Sequence, residues 1–113
     1  MKYDYIIVGA GSAGCVIANR LSEDPSNEVL LLEAGGSDRR FFIQMPIGYG
    51  VTYHQKAVNW MYMTEPSPDA DNKPSYWPRG KVMGGSSSIN AMVYVRGNPK
   101  DFDQWSEAGN PGW

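Results

Sequence analysis

The chain has 113 residues, 10 basic and 12 acidic side chains, a net charge of −2 and a single histidine. That length allows at most one domain, and the near balance of charge, with no basic cluster, argues against a nucleic-acid partner. No apolar stretch reaches the roughly 18 residues that a membrane-spanning helix needs. The lone Cys15 rules out an internal disulfide and fits a reducing compartment.

Met1-Lys2-Tyr3-Asp4 runs straight into an apolar stretch, which leaves no room for a signal peptide. The expected location is the cytoplasm, with membrane association of a longer protein left open. Tyr3–Val8 reads as a first strand, and Gly9-Ala10-Gly11-Ser12-Ala13-Gly14 follows at once. Ala13, Val16-Ile17 and Leu21 then recur at helical spacing. Cys15, beside Gly14, reads as a small packing residue of that helix. Asp24-Pro25-Ser26-Asn27 breaks it and turns the chain. Val29–Leu32 is a second apolar run, closed by Glu33, nineteen positions beyond Gly14.

Strand, glycine loop, helix, strand and terminal acid form the unit that grips the ADP half of a dinucleotide. Gly9 allows a tight turn. Gly11, without a Cβ, lets the backbone come close to a pyrophosphate, and Gly14 lets the helix pack on the strand. The helix N-terminus offers free N–H groups and the positive end of its dipole. Glu33 can accept from both hydroxyls of a ribose, and would repel a 2′-phosphate.

Further along, Gly35-Gly36-Ser37-Asp38 reads as a flexible exit and Arg39-Arg40 as a solvated pair. Phe41-Phe42-Ile43 and Met45–Gly50 are apolar but irregular, a packed excursion. Asn59–Thr64 reads as a strand, Glu65–Asn72 as a turn-rich loop, and Ser75–Trp77 as the partner strand of a hairpin. Pro78-Arg79-Gly80-Lys81-Val82-Met83-Gly84-Gly85-Ser86-Ser87-Ser88 combines two cations, adjacent glycines and three hydroxyls, which are parts for a second phosphate contact. Asn98 can cap a last helix with Pro99 at its first position and Asp101 in its first turn; Phe102 and Trp105 share a face, and Gly109 is a natural stop. His54 lies in the polar stretch Thr52–Lys56 and reads as a solvated residue. No catalytic residue and no metal site is assigned.

Together the two glycine clusters resemble the N-terminal part of the glucose–methanol–choline (GMC) oxidoreductases. The matching stretches are Asp4–Gly36, Asn59-Trp60, Thr64-Glu65-Pro66 and Tyr76–Trp105, with Met83 where Leu, Ile or Val is usual. Tyr76–Lys81 and Tyr94–Asn98 look most like the choline-dehydrogenase-like alcohol dehydrogenases. The resemblance implies an α/β fold, an incomplete Rossmann-like FAD-binding domain in which residues 1–113 are the N-terminal portion of a longer protein. It also implies FAD as cofactor. Gly9, Gly11 and Gly14 would face the pyrophosphate, and Glu33 the adenosine ribose. Gly84, Gly85 and Ser86 would run along the pyrophosphate and ribityl, and Val82 and Asn90-Ala91-Met92-Val93 near the isoalloxazine and its linking chain. Ser12, Ala13, Ala34, Trp60 and Arg79 complete the expected contacts. Ile89 stands where some members carry a histidine bonded to FAD, so the flavin is expected to be non-covalent.

The implied reaction is oxidation of a primary alcohol or choline to an aldehyde, with hydride passing to flavin N5. The family's base is a histidine near the C-terminus, outside this chain. The alcohol and the electron acceptor are left open. So are three other readings: a hydroxynitrile lyase that holds FAD without redox chemistry, a non-catalytic nucleotide-binding remnant, and an NAD dehydrogenase, in which the Gly80–Asn90 block has no role.

Overall fold

Four apolar residues on each side pair in parallel: β1 (Tyr5–Val8) lies beside β2 (Val29–Leu32), with Tyr5 opposite Val29 and Val8 opposite Leu32. The computed structural model describes residues 2–113. Parallel strands need a crossover, and α1 (Ser12–Leu21) supplies it. β1 starts two residues later than the expected Tyr3, and Asp4 before it meets Glu28 through one backbone and one side-chain bond. Its Oδ2 accepts the Glu28 N–H at 3.0 Å, while its own N–H donates to the Glu28 carbonyl at 2.9 Å.

Gly14 sets how closely α1 lies on β1. A Cβ there would collide with the Gly9 carbonyl and sit 3.5 Å from Ile7 Cγ2. After Leu21 the chain turns as expected. Asn27 Nδ2 donates back to the Leu21 carbonyl at 2.9 Å, and Asp24 Oδ1 accepts from the Ser26 N–H at 2.9 Å and hydroxyl at 2.7 Å.

The excursion after β2 is more regular and less packed than its apolar composition suggests. It forms α2 (Phe41–Gln44), a 3₁₀ turn at Pro46–Gly48 and α3 (Tyr49–Thr52). Phe41 and Ile47 stay 71% and 76% exposed, so most of its apolar surface does not enter the core. Ile43 alone packs on the core cluster of Val58, Val82 and Ile89.

The hairpin is shorter than its sequence suggests. β3 (Tyr62–Met63) pairs antiparallel with β4 (Tyr76–Trp77), Tyr62 opposite Trp77. Met61 interrupts the expected longer strand at φ +56°, and Asn59 pairs separately with Gly80. The closing helix α4 (Pro99–Glu107) follows its signals. Asn98 Oδ1 accepts the Lys100 N–H at 3.1 Å, the Phe102 and Trp105 rings meet edge to face at 5.4 Å, and Gly109 follows at φ +93°.

The radius of gyration is 18.5 Å, against roughly 13 Å for a compact domain of this length. Ile6, Val8 and Leu32 of the parallel sheet are exposed. Among the described residues no helix is long and apolar enough to cross a membrane.

Candidate functional site

A cleft of about 640 Å³ opens at the carboxyl ends of β1 and β2, the edge at which open α/β sheets hold ligands. Val8, Gly9 and Gly11 form one side, and Leu32, Glu33 and Ala34 the next. Trp60, Tyr62, Arg79, Gly80, Gly85 and Ser86 close it.

Backbone contacts alone bring the two glycine clusters together. The Gly84 N–H donates to the Ala10 carbonyl at 2.7 Å and the Met83 N–H to Gly36 at 2.9 Å. A Cβ on Gly85, which sits at φ +59°, would lie 2.9 Å from Gly11 Cα. Gly11 itself has open space where its Cβ would be. The second loop therefore leans on the first without filling the space above it.

Glu33 stands at the junction. Its Oε2 accepts the Ala10 N–H and its Oε1 the Gly35 N–H, each at 2.8 Å. Each carboxylate oxygen has a further lone pair for a hydroxyl, so Glu33 both ties down the loop and lines the cleft. The expectation of three donating serine hydroxyls needs correction. Ser87 Oγ donates to the Gly84 carbonyl at 2.6 Å and Ser88 Oγ to Met83 at 2.7 Å. Both hydroxyls serve their own turn, the 3₁₀ segment Gly85–Ser88. Ser86 differs: its Oγ accepts the Gly80 N–H at 3.0 Å, which leaves its proton to donate.

The opposite wall is aromatic and cationic. Trp60 and Tyr62 stack at 5.9 Å with nearly parallel rings, and Lys81 Nζ lies 4.5 Å from the Trp60 centroid. The Arg79 guanidinium lies 4.9 Å from the Trp77 centroid, and its Nη1 donates to the Pro78 carbonyl at 2.7 Å. The start of α1, the spare Ser86 proton and the Arg79 cation at one cleft suit an anionic ligand with a flat apolar part.

The cleft thus gathers Gly9, Gly11, Glu33, Ala34, Trp60, Arg79, Gly85 and Ser86. Ser12 and Ala13 form the first turn of α1 outside its lining, Gly14 packs on Gly9, and Gly84 is held by Ala10. Val82 is fully buried in the core, so its side chain does not reach the cleft. Asn90 and Ala91 line a second, apolar hollow of about 280 Å³ with Tyr49, Tyr53, Pro78 and Ile89; it meets the first cleft at Ser86. Met92, at φ +54°, lines a third hollow of about 210 Å³ beside Phe42 and Thr52, and Val93 is exposed.

Val8, Leu32 and Tyr62 join the lining unannounced, and Gly80 comes in from the second glycine cluster. Val8 and Leu32 end their apolar runs, which places them at the ligand edge. Tyr62 lies two positions from Trp60, the spacing of one strand face. Cys15 is exposed and not packed as expected, its Sγ 3.2 Å from the Ala10 carbonyl. His54 is exposed, against Tyr53 and Tyr76 and outside the cleft lining. No cluster of metal-ligating side chains occurs among the described residues.

Known proteins resemble this chain in sequence and in fold. An oxygen-dependent choline dehydrogenase of Vibrio vulnificus is 58% identical over 111 residues, and an alcohol dehydrogenase (acceptor) of Pseudomonas putida 55% over 111 residues. Each comparison covers 98% of this chain and 20% of the relative. The chain thus spans a fifth of the length of these relatives. Among solved structures, a pyridoxine 4-oxidase from Mesorbium loti superposes with a TM-score of 0.77 at 40% identity, over 94% of this chain and 21% of that one. A formate oxidase from Aspergillus oryzae, solved for the effect of a mutation on its FAD modification, gives 0.74 at 37% identity, over 93% and 19%. Residues 3–113 match the GMC oxidoreductase family, and with nearly its whole length accounted for, this chain belongs to that family.

Proposed function

We propose that residues 1–113 are the N-terminal portion of an FAD-binding domain, and that the cleft holds the ADP half of FAD non-covalently. One observation carries the reading: the two glycine loops close on each other through Gly84–Ala10 and Gly85–Gly11, yet leave Gly11 open to a cleft that Glu33 lines. Gly9, Gly11 and Gly85 let the pyrophosphate come close to the backbone, while the N–H groups of Gly9 and Gly85 stay on the Leu32 and Val82 carbonyls, and Ser86 donates to the pyrophosphate. The α1 N-terminus, with Ser12 and Ala13, adds its dipole. Glu33 takes the ribose hydroxyls, and Trp60 offers a flat face to the cofactor. The apolar hollow at Asn90 and Ala91 supports seating the flavin ring beyond Ser86.

In the full-length protein the reaction is oxidation of a CH–OH group, with choline or another primary alcohol as substrate. The relatives named for choline and alcohol dehydrogenation support this. FAD supplies the hydride acceptor. The residues of this chain bind it, orient it and screen its phosphates; the hydroxyl proton is left to a base elsewhere, since the chain's one histidine lies outside the cleft lining.

The test uses the natural full-length protein. Purified protein should carry flavin absorbance, and acid precipitation should release FAD into the supernatant. Anaerobic addition of choline or a primary alcohol should bleach the flavin and yield an aldehyde. Flavin that stays oxidised with every alcohol, while the protein cleaves a hydroxynitrile, would replace the dehydrogenase reading by the lyase one. Saturable binding of NAD without FAD would overturn the cofactor assignment.

A further inference from the structure

Asn59 is 1% exposed and does not line the cleft, yet both aromatic and cationic walls hang from it. Its Oδ1 accepts the Met61 N–H and the Arg79 N–H, each at 2.9 Å. Its Nδ2 donates to the Tyr53 carbonyl at 2.8 Å and to the Tyr76 hydroxyl at 3.2 Å. The amide has two acceptor lone pairs and two donor protons, and all four are used. The bond to Met61 closes a turn around Trp60, and the Trp60 N–H in turn donates to the Arg79 carbonyl at 2.8 Å. Met61 sits at φ +56°, a left-handed conformation that side chains other than glycine's rarely adopt. Without the Asn59 oxygen the Met61 and Arg79 N–H groups lose their acceptor, and the turn that presents the Trp60 ring is held by the Trp60–Arg79 backbone bond alone.

We infer that Asn59 is a positioning residue for the cofactor site, because its single carbonyl oxygen sets Trp60 and Arg79 at the cleft together. The inference rests on the reading of the cleft as an FAD seat. Trp60 stands where an adenine or ribose edge can lie against it, and Arg79 supplies charge beside it. A group that fixes both backbones determines the shape of that wall while touching no ligand itself.

The experiment is FAD titration of the flavin-stripped, full-length protein, followed by flavin fluorescence. Wild type is measured first; if it shows no saturable FAD binding, the reading of the cleft fails and this inference with it. Given wild-type binding, Asn59→Ala should weaken FAD by about tenfold, the loss of two buried acceptor bonds. Adding Met61→Gly should restore part of that affinity, the share that comes from Trp60, since glycine takes the left-handed turn unaided while the Arg79 N–H still lacks its acceptor. Tyr76→Phe removes one acceptor of the Nδ2 arm and the Tyr76 hydroxyl's own bond to the Tyr53 carbonyl, but leaves both Oδ1 bonds intact, and should stay within about twofold. A merely structural Asn59 would not be rescued at position 61, because its other bonds stay broken. Should Asn59→Ala not fold, Asn59→Asp, which keeps an oxygen facing both N–H groups, is compared with Asn59→Leu, which does not. The Asp variant should bind FAD about tenfold more tightly than the Leu variant. Wild-type affinity in Asn59→Ala, no rescue by Met61→Gly, or equal affinity of the Asp and Leu variants overturns the inference.

Discussion

The carboxylate of Glu33 accepts the Ala10 N–H at 2.8 Å, so the acid that ends the second strand holds the glycine loop that ends the first. The residue expected from sequence at a ligand's ribose is also the clamp of the first glycine loop. Those two duties meet in one side chain because the strands end side by side, Val8 opposite Leu32.

Glu33→Gln should therefore impair both folding and binding. One of the two N–H donors, Ala10 or Gly35, would face an amide donor in place of an oxygen. Denaturant unfolding of the full-length apoprotein should show a loss of about 1–3 kcal/mol, and FAD affinity should fall by about tenfold or more, since charge-assisted bonds are the stronger ones. A variant with wild-type unfolding and wild-type affinity would show that the carboxylate does neither job.

Two glycines three positions apart should behave in opposite ways. A methyl group added at Gly11 would meet nothing within 4 Å, whereas at Gly14 it would strike the Gly9 carbonyl. Gly11→Val should leave the full-length protein folded, with a normal melting curve, but purified without flavin. Gly14→Ala should cost about 1–3 kcal/mol of stability through overpacking, read as a lowered melting temperature. Normal flavin content in Gly11→Val would remove the first glycine loop from the binding site.

Asp24 makes a pH signature at the end of α1. The Ser26 hydroxyl, and next its N–H, hold the Asp24 carboxyl below the ordinary carboxylate value. A carboxyl lowered in the folded state adds stability above its unfolded pKa, and that stability is lost as pH falls through the lowered one. An NMR titration should find the Asp24 midpoint below that of a free aspartate side chain, and Ser26→Ala should raise it.

At the far end of the chain, Asn98→Ala removes the acceptor of the Lys100 N–H. The loss should be about 1 kcal/mol of local helix stability. Hydrogen exchange over Pro99–Glu107 should accelerate, with flavin content unchanged, because α4 contributes nothing to the cleft lining. Unchanged exchange would mean that α4 is held by something other than its cap.

The local elements were legible because each obeys a short-range rule. Two runs of apolar residues, a glycine spacing and the Asn98-Pro99 cap announce strand, loop and helix starts wherever the chain goes. The same rules overreached at Asn59–Thr64, where Asn59 folds back on Met61 and ends the extended run. They also overreached at Phe41–Gly50, where Ile43 reaches the core cluster but Phe41 and Ile47 stay largely exposed.

The parallel pair, its crossover helix, the glycine loop and the acid beyond it were thus written in the order of the residues. They depend on backbone freedom and side-chain periodicity over short distances. It took the folded chain to bring Gly84 to Ala10, to share Glu33 between loop and cleft, and to spare Ser86 while Ser87 and Ser88 are spent on their own turn. Folding also sent Val82 to the core and raised Asn59 to the hub of the cleft wall. Most of these outcomes join residues far apart along the chain, and their partners are chosen by how the backbone returns on itself, which no local preference encodes.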